Sequence, residues 1–292
     1  MGGPGRRATT RPFTVGTIDG TSGETGIMLG RSGAVLGAAL LCAPHPAHAG
    51  AWTLGERQGQ VIVTGTFSQA SNAFDDSRGI ASTPRYNKFE LQALVEYGLT
   101  DRFTMMVAPS LQNVTIASPT DAARGGFGYI DFGGRYRFMQ GTDWVFSGQA
   151  LLREPGTDQA DNAAAAGYTD PELDTRLLFG KSFNISGLPA FVDLQIAQRF
   201  RFGDPPDEFR FDATFGLLVA PKWLALAQSL NVISEGSGRN GTFPSYDYSK
   251  LQLSIIYNVT PEVSLQFGGF TTFSGRNSLQ ENGLLSAVWY KF

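Results

Sequence analysis

The chain has 292 residues, a slight acidic excess (26 Asp and Glu against 23 Lys and Arg), one cysteine and two histidines. That balance leaves no basic field for nucleic acid. Cys42, His45 and His48 all precede residue 50, so a chain exported without its first 49 residues holds no disulfide, no zinc site built on Cys or His, and no histidine base.

The N-terminal stretch reads as such a leader. Arg31 follows Met28 in a short basic segment, residues 34–41 are apolar but too few to span as a helix, and Ala47-His48-Ala49 is a small-x-small cleavage pattern. Residues 1–27 lack apolar periodicity, and Met28 is the expected start. Leu41 stands before Cys42, where a lipoprotein signal needs a small residue. The expected organisation is an extension and leader over 1–49 and one domain over 50–292. From residue 50 on, 19 basic residues face 24 acidic ones, after four arginines and two acids are left behind in the leader. No segment there has 18 uncharged apolar residues in a row, so no transmembrane helix is expected.

Residues 60–292 divide into segments with two-residue alternation, the pattern of a membrane-spanning β-barrel. In 60–70, Val61, Val63 and Phe67 oppose Thr64, Thr66 and Ser68. In 86–97, Phe89, Leu91 and Val95 oppose Lys88, Glu90 and Glu96. Residues 102–115 set Met105 and Val107 against Arg102 and Thr104, and 127–138 set Ile130, Phe132 and Tyr136 against Asp131, Arg135 and Arg137. Residues 144–153 carry Ser147, Gln149 and Arg153 on one side. Residues 172–183, 190–202 and 208–219 repeat the pattern. Their polar faces hold Glu172, Asp174 and Arg176, then Asp193, Arg199 and Arg201, then Arg210 and Asp212. The segment 222–233 alternates least clearly. Residues 246–258 place Lys250 opposite Leu251 and Leu253, and 262–273 place Gln266 opposite Phe267. The closing segment, 283–292, puts Leu284, Val288, Tyr290 and Phe292 on one face and Lys291 on the other.

The links alternate too. Those after the odd segments are mostly long (71–85, 117–126, 154–171, 234–245) and those after the even ones mostly tight, with 203–207 as a short exception. Short periplasmic turns, longer external loops and an even strand number are the habit of outer-membrane barrels, and a soluble sandwich has no reason to alternate this way. The expected fold is therefore an all-β, antiparallel up-and-down transmembrane barrel of about 12 strands. Twelve of the 19 basic residues fall on polar faces, Lys222 and Lys291 included, and eight of the 24 acids do so. Lys or Arg on the lipid face costs about 2–4 kcal/mol at the bilayer midplane, so the charged faces belong in the lumen. Lys181 breaks phase near a strand end, where it can snorkel.

These residues define the candidate site as pore-lining: Lys88, Glu90, Arg102, Asp131, Arg135, Arg137, Arg153, Glu172, Asp174, Arg176, Asp193, Arg199, Arg201, Arg210, Asp212 and Lys250. Two readings stand. The pairs Arg135/Arg137 and Arg199/Arg201 form a cationic ladder for small anions, or they pair with carboxylates on neighbouring strands. The lumen is correspondingly a restricted, mixed-charge pore or a closed plug of ion pairs. Same-face carboxylates such as Glu172 and Asp174 are ordinary wall residues, and without histidine no catalytic residues, metal or cofactor are expected. The acidic stretches at 75–76, 158–161 and 204–208 read as solvated surface.

Three stretches carry a resemblance: YGLTDR at 97–102, GFGYIDFGGRYRF at 126–138 and PELDTRLLFGKSF at 171–183. They resemble successive strands of the outer-membrane proteins named for the MetA pathway of phenol degradation, over most of 60–292. The resemblance implies a Gram-negative outer-membrane barrel that passes small solutes, aromatic compounds among them. The partners implied are outer-membrane lipid, the barrel-assembly machinery that reads terminal strands ending like Leu284, Val288, Tyr290 and Phe292, and an unspecified small molecule.

Overall fold

The computed structural model describes residues 50–159, 162–165, 168–239 and 243–292. The leader expected at 1–49 lies outside them.

Twelve antiparallel strands close on themselves: β1 (Gly59–Phe74), β2 (Ile80–Thr100), β3 (Phe103–Ile116), β4 (Ala122–Gln140), β5 (Trp144–Pro155), β6 (Glu172–Ile185), β7 (Leu188–Arg201), β8 (Glu208–Ala220), β9 (Trp223–Ser234), β10 (Asp247–Asn258), β11 (Val263–Arg276) and β12 (Asn282–Lys291). Each pairs with its sequence neighbours, and β12 pairs with β1 from Gln60↔Lys291 to Gln69↔Asn282. Closure leaves no open edge, so every ladder has a partner inside the bilayer. A two-residue bridge at Ser278–Leu279 also touches the far end of β1.

The alternation read from the sequence is the in-out alternation of the wall. Val63, Phe67, Phe89, Leu91, Val95, Met105 and Val107 point outward, as do Leu284, Val288, Tyr290 and Phe292 of the closing strand. Aromatics gather where strands meet the short turns: Trp223 and Tyr257 lie 4.5 Å apart, and Tyr290 stacks on Phe292 at 6.0 Å. This is an interfacial girdle. Lys181 does point outward at that rim, 3.7 Å from Asp143.

Three placements differ from the sequence reading. The expected long link at 71–85 is mostly strand, with only 75–79 as a turn. The β2 strand is 21 residues long, roughly twice what a crossing requires. The β1–β2 ribbon therefore stands out of the bilayer. There no lipid face imposes an apolar alternation, and a polar ribbon looks like a loop in sequence. Arg102, expected on a strand's polar face, lies in the turn 101–102 and is exposed. Lys222, likewise expected in the lumen, lies in the turn before β9 with its ammonium 6.0 Å from the Tyr257 ring centroid. Both sit one step past a strand end, where phase no longer fixes direction.

Candidate functional site in the barrel lumen

The first part of the lumen is an ion-pair mesh on β4–β8. Register builds it: Glu172 lies opposite Arg153 on one side and Arg201 on the other, and Asp174 lies opposite Arg199. Arg153 reaches Glu172 at 2.6 Å and Asp131 at 2.9 Å. Arg201 reaches Glu172 at 2.8 Å. Asp174 takes Arg176 at 2.6 Å and Arg199 at 2.9 Å, and Arg176 continues to Asp212 at 2.9 Å. Glu208 lies 3.5 Å from Arg201 and 3.7 Å from both Arg199 and Arg210.

Five arginines (153, 176, 199, 201, 210) thus meet five carboxylates (131, 172, 174, 208, 212), and the mesh has no net charge. Glu172 and Asp174 are each 1% exposed, so their compensation has to be local. Arg199 and Arg201 are paired, which sets the ladder reading aside for them. Aromatic hydroxyls complete the mesh. Tyr129 donates to Glu172 Oε1 at 3.2 Å and Tyr246 to Glu208 Oε1 at 2.5 Å. Burial first, and then the Glu208 carboxylate, push the Tyr246 phenol above its ordinary range.

The second part is a plug that the sequence reading missed. Residues 50–58 enter the lumen from the short-turn end before turning into β1. Ala51 is fully buried; its N–H donates to Asp193 Oδ2 at 2.6 Å and its carbonyl accepts from Ser147 Oγ at 2.6 Å. The Trp52 carbonyl accepts from Arg135 at 2.9 Å, and Arg135 also pairs with Glu96 at 3.1 Å. Leu54 N–H donates to Thr104 Oγ1 and Thr53 Oγ1 to the Asp101 carbonyl, both at 2.9 Å. The Trp52 ring meets Phe191 edge-on at 6.0 Å, beside an apolar cluster of Phe191, Leu224, Leu226, Ile256, Ala287 and Trp289. It also lies over Gly180, where a Cβ would stand 2.5 Å from the indole. The signal was indirect. Segment 222–233 alternated poorly because Leu224 and Leu226 are apolar and point inward.

The third part is a cavity of about 670 Å³ toward the external end. Tyr86, Tyr168, Tyr246, Tyr248 and Phe270 line it together with Lys88, Glu90, Lys250 and Glu281. Lys88 pairs with Glu90 at 2.6 Å, and Lys250 pairs with Glu281. The Lys88 ammonium lies 5.2 Å from the Tyr168 ring centroid, and that of Lys250 lies 5.1 Å from Tyr248 and 5.4 Å from Phe270. Tyr168 belongs to the long β5–β6 link, whose short turn of helix at Ala163–Ala165 packs inward with Ala164 and Ala165 buried. Of the remaining expected residues, Asp193 lies under the plug. Arg137 faces the lumen near the short-turn end, opposite Ser147, without an ion pair among the described residues.

No family model matches the sequence, and no curated protein matches it. Among solved structures, an outer membrane channel from Pseudomonas putida F1 superposes with a TM-score of 0.70 at 15% identity, over 84% of this chain and 99% of that one. The NanC porin gives 0.48 at 10% identity, over 80% of this chain and 100% of that one. The β domain of the Bordetella autotransporter BrkA gives 0.49 at 10% identity, over 81% and 100%. Only the first superposition is close enough to bear on the fold. The chain has the fold of an outer-membrane β-barrel. Its lipid belt, girdle and closed ladder agree with that placement.

Proposed function

We propose that the barrel is a passive channel for small solutes, with small aromatic compounds as the preferred class. The observation that carries this reading is the external cavity. Its volume suits one small molecule. Four tyrosines and a phenylalanine offer ring faces, and both lysines beside them are matched by carboxylates. Such a lining favours stacking over charge selection. The resemblance of 97–102, 126–138 and 171–183 to proteins named for phenol degradation points the same way. No catalytic role is assigned, because the chain from residue 50 on has neither histidine nor cysteine. The terminal strand, with Leu284, Val288, Tyr290 and Phe292 on its lipid face, is proposed as the segment that the barrel-assembly machinery handles.

The plug supports a second reading, a structural barrel with a closed lumen, since Trp52 and Ala51 fill the end of the path nearest the short turns. Planar-bilayer conductance and uptake of benzoate or phenol into proteoliposomes separate the two. The channel reading expects small discrete steps, and larger ones once residues 50–55 are deleted. Neither conductance nor uptake in either form would leave only the closed barrel.

A further inference from the structure

Asp193 is 1% exposed, yet its carboxylate has no ion pair among the described residues. It accepts two neutral N–H bonds, from Ala51 at 2.6 Å and from Gln195 at 2.7 Å. The ten charges of the mesh balance one another. Arg135, the cation that holds the neighbouring Trp52 carbonyl, is engaged by Glu96 and Gln149. A buried carboxylate in this state lacks the opposite charge that its removal from water calls for.

The missing cation has a source in the sequence. Gly50 comes directly after the small-x-small pattern Ala47-His48-Ala49, and its backbone lies against Asp193. A Cβ on Gly50 would overlap both carboxylate oxygens, and φ is +69° there, which also favours glycine. The first residue expected after the leader is thus fitted to a buried carboxylate that, among the described residues, lacks an ion pair.

We propose that removal of the leader creates this ion pair: the free Gly50 ammonium binds the Asp193 carboxylate and locks residues 50–55 into the lumen. Hydrolysis of the Ala49–Gly50 peptide bond by a leader peptidase consumes one water, leaves the carboxylate on Ala49 and frees the Gly50 amine, which takes up a proton from solvent. The same nitrogen in the uncut chain is a neutral amide and cannot supply the charge. Processing thereby sets the plug as well as releasing the barrel. The inference concerns the docked segment and does not depend on which solute passes.

The test uses the absence of cysteine after residue 50. Leu54→Cys provides a single thiol on the plug, and its maleimide labelling rate reports how often the segment leaves the lumen. Mass spectrometry of protein from outer membranes should find Gly50 first. Labelling should accelerate about tenfold when Ala49 is retained in refolded protein, and about tenfold in Asp193→Asn, the size expected for losing a charge-assisted contact. Combining the two should add nothing further. A different first residue, an unchanged rate on retaining Ala49, or effects that multiply in the combined variant would overturn the ion pair. Loss of conductance alone would bear on the channel and not on this latch.

Discussion

Two regions of one lumen solve opposite problems. On β4–β8, ten charged groups are withdrawn from water and held by register, each acid answered by an arginine on its own strand, on a neighbouring one or, for Asp212 with Arg176, two strands away. Near the short-turn end, Phe191 of β7 and the inward residues of β9, β10 and β12 form an apolar face that accepts a separate segment at Trp52, which Arg135 of β4, Ser147 of β5 and Asp193 of β7 anchor by hydrogen bonds. The mesh is part of the wall, since removing one partner strands the others. The seat is a docking surface, since what fills it enters from outside the sheet. Within one barrel, buried charge makes a fixed lining and buried apolar surface makes a removable one.

The sharpest way to break that contrast is Glu172→Gln. Glu172 is shared by Arg153, Arg199 and Arg201, so neutralising it leaves buried guanidiniums short of charge. A loss of about 3–5 kcal/mol is expected in urea unfolding of the refolded barrel. A loss below about 1 kcal/mol would mean that water screens the mesh. Trp52→Ala should act on the other side of the comparison. It removes roughly 1.5–3 kcal/mol of plug docking, by the usual value of a buried aromatic. Conductance should rise while the unfolding midpoint of the barrel stays nearly fixed. Equal losses in both readouts would make the segment an integral part of the wall. Lys181→Ala should do least. Its pair with Asp143 is half exposed at the outer rim, and a change within about 0.5 kcal/mol is expected in the same unfolding assay.

The legibility of the site divided along the same line. Glu172, Asp174, Arg176, Arg199 and Arg201 could be assigned to the lumen because a charge on the lipid face is too costly, a rule that needs no coordinates. Arg102 and Lys222 escaped that rule because each lies one residue past a strand end. The plug escaped it because residues 50–58 have no period to read. The apolar seat escaped it because an inward leucine such as Leu224 looks like an outward one. The tyrosines of the cavity come from β2, β10 and two separate links, and no spacing in the sequence joins Tyr86 to Tyr168 or Tyr246.

The sequence by itself determined the closed barrel, its twelve strands and the inward direction of most charges. These come from a period of two, from turn chemistry and from the cost of charge in lipid, all of which act on residues near one another in the chain. Only the tertiary structure decided which charges meet, that the mesh is neutral, and that Gly50, Ala51 and Trp52 fill the lumen against Asp193 and Phe191. Strand register and the return of a distant segment are set by closure of the whole ring. A one-residue slip would turn every side chain to the other face, so that information lies between strands and not along any of them.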